Sequence, residues 1–168
     1  RVYDNVAITE WELARNYDGD QFRGPGLNWP VIAIKSHMGP TGWRIYRHLI
    51  NFDTSVIPDS AFVQKVVFGA HRTPGQGDNN SSDTEVVITR HLKEVSEGYS
   101  IEDGIITKFG EELSKSFLEE NQYTEFVFDE TDFSYVNLSG HTILGAITNF
   151  DYSGENPGPG SHEAAFYG

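Results

Sequence analysis

The sequence predicts an all-β fold: an antiparallel β-sandwich that occupies residues 1–168 as a single domain. The composition is the first observation behind this prediction, because 17 glycines, 7 prolines and 13% aromatic residues are typical of many short strands joined by turns. The second is the alternation of apolar and polar residues in several segments that turn-forming residues separate. The third is the length, since 168 residues can bury one core without a metal or a disulfide.

Two strands are predicted in the first third of the chain. Residues 1–13 mix β-forming and polar residues and predict an opening strand. Residues 31–34 are four consecutive apolar residues, so we expect a short strand that is covered on both faces. Residues 37–42 contain glycine and proline and predict a turn after this strand.

Residues 47–63 join two apolar, strand-like runs through a short polar turn and an Ile-Pro stop, and we interpret them as the central hairpin of the sandwich. The first run begins near Trp43 and has Leu49 on one face. The opposite face carries Tyr46, His48, Ile50 and Phe52. The parity of the apolar positions changes after Val63, which predicts a β-bulge near residues 64–65.

The remaining residues predict one helix and three strands, followed by a last run. The helix is expected around residues 105–119, because apolar residues recur there at every fourth position and acidic residues fill the other faces. These apolar residues are Ile105, Phe109, Leu113 and Phe117. Alternating segments predict strands at residues 85–92, 123–129 and 142–150, and a tight loop at residues 156–160 precedes a last run at residues 164–168.

The charge and the cysteine content exclude several classes of function. Twelve basic residues stand against 25 acidic ones, and the resulting net charge of -13 repels phosphate backbones and anionic membranes. We therefore expect no nucleic-acid partner and no membrane insertion. The absence of cysteine excludes disulfides, thiolate metal sites and a cysteine nucleophile. Because the sequence begins at Arg1, we expect a mature form or an excised piece.

The segment 47–63 also carries a recognisable pattern: an Arg, two aliphatic residues, Phe-Asp, a Ser, Ile-Pro and then Ala-x-Val. It resembles the most characteristic part of DNRLRE-type domains. A looser similarity extends over residues 43–168. In its later half, from Phe126 onward, a strand, a short turn and a Gly-x-Thr lead into a strand that ends near Asp151. The six-residue string that names the family is missing, and the N-terminal third matches poorly.

The resemblance implies a jelly-roll-like β-sandwich that is one non-catalytic module of a secreted, cell-surface or virion protein. Some such modules bind polysaccharide. Family members continue past the Phe-Tyr-Gly position into another strand of the form Pro-x-Leu-x-Val. Since this sequence stops at Gly168, we expect a longer parent protein or a last strand that a neighbouring subunit supplies.

One short acidic motif is a candidate metal site. Asp18-Gly19-Asp20 places two carboxylates on either side of a glycine, and calcium accepts such oxygens if other loops add more. The alternative is an ordinary acidic turn. The complete EF-hand loop pattern is absent. A structural calcium ion is the one cofactor that the sequence suggests.

Aromatic side chains are the candidate sugar-binding groups, because pyranose rings stack on flat apolar faces. The candidates are Trp29, Trp43, Tyr46 and Tyr152. Trp29 and Trp43 come first, since they stand beside Pro30 and Gly42 in predicted loops. Core packing is the alternative for each ring.

These observations leave three hypotheses. The first is an extracellular or virion-surface module that binds polysaccharide or a neighbouring protein copy. The second is a structural protein of a fibre, surface layer or virion in which the sandwich self-associates. The third is a glycan-active enzyme. Its candidate carboxylates would come from Glu111-Glu112 and residues 129–132. Glycoside hydrolysis needs two carboxyl groups at a fixed distance in a cleft, and adjacency in sequence does not supply that arrangement.

Overall fold

The computed structural model describes residues 2–3, 10–15, 21–22, 31–71, 84–91, 107–108, 113–114, 122–128, 133–134 and 136–167. Most of these residues form strands. The elements in chain order are β1 (Val2–Tyr3), α1 (Trp11–Arg15), β2 (Gln21–Phe22), β3 (Val31–Gly39), β4 (Gly42–Tyr46), β5 (His48–Asp53), β6 (Val67–His71), β7 (Glu85–His91), β8 (Thr107–Lys108), β9 (Leu113–Ser114), β10 (Tyr123–Val127), β11 (His141–Thr148), α2 (Asn149–Ser153) and β12 (Ser161–Tyr167).

The strands that the structure describes form two five-stranded sheets and a small two-stranded one. Sheet I has the order β10-β6-β12-β3-β4. Sheet II has the order β5-β11-β7-β8, and β9 also pairs with β7. The two-stranded sheet consists of β1 and β2. Every neighbouring pair in these sheets is antiparallel.

The main core lies between sheet I and sheet II, because side chains from both enter one apolar cluster. Sheet I contributes Ile34, Phe68, Ala70, Phe126 and Ala164, and sheet II contributes Val86, Ile88, Leu144 and Ala146. A strand with period-2 alternation presents one face to such a core. The predicted antiparallel β-sandwich is therefore confirmed, whereas its jelly-roll connectivity stays a prediction.

The predicted strand at residues 31–34 is confirmed and is longer than expected. β3 continues to Gly39 and forms a hairpin with β4 through Pro40 and Thr41. Gly42, which opens β4, has a φ of 122°, a backbone conformation that favours glycine. Of the predicted turn over residues 37–42, only Pro40 and Thr41 form the turn, and the other residues belong to the two strands.

The extended run from β4 to β5 is confirmed, but it belongs to both sheets. β4 ends at Tyr46 in sheet I and β5 begins at His48 in sheet II, so the chain changes sheets at Arg47. The two faces of β5 are as predicted. Ile50 packs on the main core, while Leu49 packs against Val87 and Ile147 on the other face of sheet II.

The predicted central hairpin is wrong. β5 pairs with β11 in sheet II, and β6 pairs with β10 in sheet I, so residues 54–66 connect two sheets and not two paired strands. The pattern misled because apolar side chains from both strands point into the same core: the Phe52 and Phe68 ring centroids are 6.3 Å apart across it. Residues 61–66 form no strand, so the phase change marks an irregular connection and not a β-bulge.

The helix predicted around residues 105–119 is wrong at the residues of this segment that the structure describes. Thr107–Lys108 and Leu113–Ser114 form β8 and β9, and both pair with β7. Apolar residues at every fourth position also share one face of a strand, because four is a multiple of two. The apolar pattern is therefore compatible with either a helix or a strand. Hydrogen bonding to β7 makes the described residues strands.

Helical residues occur instead at two places that the sequence predicted as strand. Trp11 begins α1 near the end of the predicted opening strand, and of the described residues in that range only Val2 and Tyr3 form a strand. Asn149 begins α2 after β11, where the Thr148 side chain caps the helix by accepting a hydrogen bond from the Asp151 backbone N–H. Among the described residues, neither helix has the length and apolar character needed to cross a bilayer.

Candidate functional site

An apolar pocket of about 510 Å³ lies between the two sheets, beside the connection from β5 to β6. We call it the intersheet pocket. Four strands (β5, β6, β10 and β11), residues 54–66, Phe128 and Val136 contribute to its wall. The lining residues are Phe52, Thr54, Ile57, Val63, Lys65, Val66, Val67, Phe68, Gly69, Tyr123, Phe128, Val136, Thr142, Ile143 and Leu144. A concave, mostly apolar site of this volume is typical of binding pockets.

The apolar wall follows from the alternation of side chains along β5, β6 and β11. Phe52, Phe68 and Leu144 all point between the sheets. Phe68 contacts Phe126 as well as Phe52, with ring centroids 5.8 Å apart in the first pair. These aromatic contacts hold the floor of the pocket together.

The two threonine hydroxyl groups in the lining, of Thr54 and Thr142, already have internal partners. Thr54 Oγ1 lies 2.5 Å from the Asn137 carbonyl oxygen and 2.9 Å from that of Gly140. Thr142 Oγ1 accepts a hydrogen bond from the Asn137 backbone N–H at 3.0 Å. Because these groups tie β5 to the loop before β11, the pocket offers a partner mainly apolar surface.

One edge of β6 faces the intersheet pocket. On the β10 side, the Phe128 N–H donates to the Val66 carbonyl at 3.1 Å, and the register continues with Phe126 opposite Phe68. Hydrogen-bonded pairs alternate along an antiparallel ladder. The N–H and C=O groups of Val67 and Gly69 therefore point away from β10.

β12 covers only the end of this edge. It pairs with β6 at a single position, Tyr167 opposite His71. Within the part of the chain that the structure describes, no strand pairs with Val67 or Gly69 on that side. We call these two residues, with their outward N–H and C=O groups, the open edge of β6. An open sheet edge is a template for pairing with another chain.

Tyr123 lies directly over Gly69. A side chain at position 69 would overlap the Tyr123 hydroxyl, so the glycine is what allows the tyrosine to cross β6. Tyr123 is nevertheless 64% exposed and lines the pocket. It forms an aromatic rim on the outer side of the open edge.

Apolar side chains are exposed around the mouth of the pocket. Phe52 is 40% exposed and Val67 is 37% exposed, and both line the pocket. Phe62 is 84% exposed but lies outside the lining. Clustered exposed apolar residues mark interaction sites more often than single ones do.

Comparisons with protein-family models, with curated proteins and with solved structures found no match. The resemblance of residues 47–63 to DNRLRE-type domains therefore stays a prediction. The structure does bring two residues of that resemblance together, since Arg47 and Asp151 form a buried ion pair. Arg47 Nε donates to Asp151 Oδ2 at 2.6 Å, and Arg47 Nη2 donates to Oδ1 at 2.8 Å.

The aromatic candidates do not converge on one site. Trp43 is 3% exposed and packs edge-to-face on Trp11 with ring centroids 4.8 Å apart, so its predicted sugar-stacking role is wrong and the core-packing alternative applies. Tyr46 on β4 and Tyr152 on α2 are half-buried, and neither lines the intersheet pocket. Trp29 lies outside the described residues.

The predicted metal ligands Asp18 and Asp20 also lie outside the described residues. Among the residues that are described, no group of three or more His, Asp or Glu side chains is placed to hold a metal ion. The calcium site stays a prediction.

Most of the pocket lining carried no signal in the sequence. Tyr123, Val136 and Thr142 gave no signal as site residues, because the pairing that assembles them links distant parts of the chain. Gly69 did carry a usable signal: a glycine inside an apolar strand often marks the close approach of another group.

Proposed function

We propose that this chain is a non-catalytic binding module whose partner is another polypeptide that docks at the intersheet pocket. The observation that carries this proposal is the apolar pocket whose lining residues Phe52, Val67 and Tyr123 are also exposed at its mouth. Burial of such surface is the main favourable term in protein association. An extracellular, cell-surface or virion setting is part of the proposal and rests on the resemblance of residues 47–63 alone.

The net charge of the chain favours one class of partner. At -13 the chain repels a second copy of itself and attracts a basic segment, both more strongly at low salt. We therefore propose a partner whose apolar residues are flanked by lysine or arginine.

Polysaccharide binding is the other expectation that the resemblance raised. Tyr46 and Tyr152 remain its described candidates, and substitution of each by alanine in a glycan-binding assay tests it. It has no support from the pocket, whose lining is mainly apolar.

The proposal predicts different effects for two exposed phenylalanines. The probe is a short fluorescent peptide of alternating valine and threonine residues flanked by lysines, and binding is measured by fluorescence anisotropy. Phe52→Ser should weaken binding about 10-fold, because a buried phenylalanine contributes roughly 1.5–3 kcal/mol and about 1.4 kcal/mol corresponds to tenfold in affinity.

Phe62→Ser is the matched control, since Phe62 is exposed but lies outside the pocket lining. It should leave the affinity unchanged. Thermal unfolding of both variants verifies that they are folded at the assay temperature. Equal affinity of the two variants for the peptide would overturn the proposed function.

A further inference from the structure

The loop that precedes β11 carries a motif that the docking of a polypeptide does not use. Asn137-Leu138-Ser139 has the form Asn-x-Ser, which is the acceptor motif for N-linked glycosylation. It lies outside every helix and strand that the structure describes. Building on the extracellular setting of the proposed function, we propose that Asn137 is an attachment site for an N-linked glycan.

The fold anchors the backbone of this loop and exposes the acceptor side chain. Asn137 and Ser139 are exposed, whereas Leu138 between them is partly buried. The Asn137 N–H donates to Thr142 Oγ1 at 3.0 Å, and the Asn137 carbonyl accepts a hydrogen bond from Thr54 Oγ1. A glycan is bulky and strongly hydrated, so it needs an exposed position of this kind.

The oxygen and the nitrogen of the Asn137 amide have different surroundings. Oδ1 accepts hydrogen bonds from the Ser139 N–H at 3.1 Å and from the Ser139 hydroxyl at 3.0 Å. Because a backbone N–H can only donate, the amide atom that it reaches is the oxygen, and this fixes the position of Nδ2. Among the described residues, no acceptor is paired with Nδ2. The nitrogen is therefore available to carry a substituent.

Gly140 leaves space beside the amide nitrogen. A Cβ atom at position 140 would lie 3.0 Å from Asn137 Nδ2, which is closer than an ordinary van der Waals contact. The glycine thus keeps this side of the amide free of another side chain. A sugar bound to Nδ2 leaves Oδ1 in place, so both hydrogen bonds from Ser139 persist in the glycosylated loop.

The attachment reaction needs a donor and a catalyst that the host cell supplies. The donor is an oligosaccharide linked to a polyprenyl diphosphate, and the catalyst is a membrane-bound transferase. Asn137 Nδ2 forms a bond with the anomeric carbon of the first sugar, while the bond from that carbon to the diphosphate oxygen breaks. The diphosphate leaves with the electron pair of the broken bond, and Nδ2 releases one proton. Ser139 supplies the hydroxyl that the motif requires.

Secretion from a eukaryotic cell line, behind a cleavable signal peptide, tests the site. Two other acceptor triplets begin at Asn79 and Asn80, which lie outside the described residues, and the double variant Asn79→Gln with Asn80→Gln removes both. Intact mass spectrometry should show one glycan on this variant. An amidase specific for N-glycans should release it and convert Asn137 to aspartate.

Substitutions within the motif provide the controls. In the double variant, Asn137→Asp and Ser139→Ala should each abolish the glycan, and Ser139→Thr, which retains the hydroxyl, should preserve it. Asn137→Asp also keeps Oδ1 as an acceptor for Ser139, so thermal unfolding should show a folded chain. A glycan that persists in Ser139→Ala, or a folded and secreted double variant that carries none, would overturn the proposal.

Mass mapping of the secreted chain without substitutions makes the test independent of the folding of any variant. A proteolytic fragment that contains Asn137 but neither Asn79 nor Asn80 reports this site alone. The fragment should carry a glycan in the majority of molecules. Its recovery only in the unmodified form would overturn the proposal.

These measurements fail separately from the test of the proposed function. If Asn137 is unmodified while Phe52→Ser still weakens binding of the valine-threonine peptide, the glycan site is wrong and docking at the intersheet pocket stands. If Phe52→Ser binds that peptide as tightly as the unmodified chain does, docking at the pocket is wrong, whether or not Asn137 carries a glycan.

Discussion

Asp53, the last residue of β5, has its ionisation shifted by hydrogen bonds from the turn residue Ser55. Its Oδ1 accepts hydrogen bonds from the Ser55 hydroxyl at 2.5 Å and from the Ser55 backbone N–H at 3.1 Å. The Ser55 hydroxyl is the main cause that lowers the pKa of the Asp53 carboxyl below its ordinary value, and the backbone N–H adds to it. Hydrogen bonds to the charged form favour that form.

We predict that Ser55→Ala raises the pKa of Asp53 toward its ordinary value of 3.8, as NMR titration of the carboxyl would measure. A carboxyl with a lowered folded-state pKa stabilises the fold above its unfolded pKa and loses this contribution as the pH falls through the folded pKa. The stability difference between Ser55→Ala and the unmodified chain should therefore shrink below pH 3.8.

Ser139→Ala is the matched control for this prediction. Ser139 makes the same pair of hydrogen bonds to the Oδ1 of Asn137, which does not titrate. Its substitution should leave the pKa of Asp53 where it is. An Asp53 pKa that stays low in Ser55→Ala would show that another group is responsible.

At the scale of elements, the change of sheets between β4 and β5 depends on a buried polar cluster. Arg47 has two hydrogen bonds to the Asp151 carboxylate on α2 and donates a third to the Arg15 carbonyl at the end of α1. Arg15 in turn donates to the Asp151 carbonyl at 2.7 Å. One side chain therefore joins the crossover to both helices.

We predict that Arg47→Met lowers the free energy of unfolding by about 3–5 kcal/mol, because it leaves the buried Asp151 carboxylate without its cation. Urea denaturation measures this loss. The double variant Arg47→Met with Asp151→Leu should be more stable than the single variant, since it removes the uncompensated charge.

Lys35→Met is the comparison for that experiment. Lys35 pairs with Glu163 at 2.8 Å, but both side chains are partly exposed, and such pairs contribute at most about 1 kcal/mol. If Arg47→Met and Lys35→Met lower the free energy of unfolding by similar amounts, the buried Arg47–Asp151 pair contributes no more to stability than a partly exposed pair does.

The elements also show what local pattern could and could not predict. β7 and β10 lie within their predicted ranges, because alternation over a few residues decides that a segment is extended. The pairing of β5 with β11 could not be predicted in this way, since it joins residues that are far apart in sequence. The intersheet pocket depends on that pairing, so most of its lining residues could not be predicted from the sequence.

At the scale of the whole molecule, the amino-acid composition was enough to predict the fold class. The net charge predicts how the melting temperature and the affinity for a basic peptide depend on salt. The net charge of -13 destabilises the compact state by self-repulsion. The Debye screening length shortens from about 30 Å at ~0.01 M salt to about 8 Å at ~0.15 M. We predict that the melting temperature rises by a few degrees over this range, whereas the affinity for the lysine-flanked peptide falls.

Scanning calorimetry and peptide titration at the two salt concentrations measure these opposite effects. Near the sequence pI of about 4.7 the salt dependence of the melting temperature should largely disappear, which provides the control. A melting temperature that is insensitive to salt at neutral pH would show that the acidic residues are too far apart to repel one another.

The passage of one extended run through both sheets has a mechanical consequence. Gly42 to Tyr46 is hydrogen-bonded in sheet I and His48 to Asp53 in sheet II, and Arg47 anchors the point between them. Tension applied along this run loads the ladders of both layers in shear, so neither layer can peel away alone. In a chain without cysteine, the two sheets are thus linked at this point by hydrogen bonds and by one ion pair.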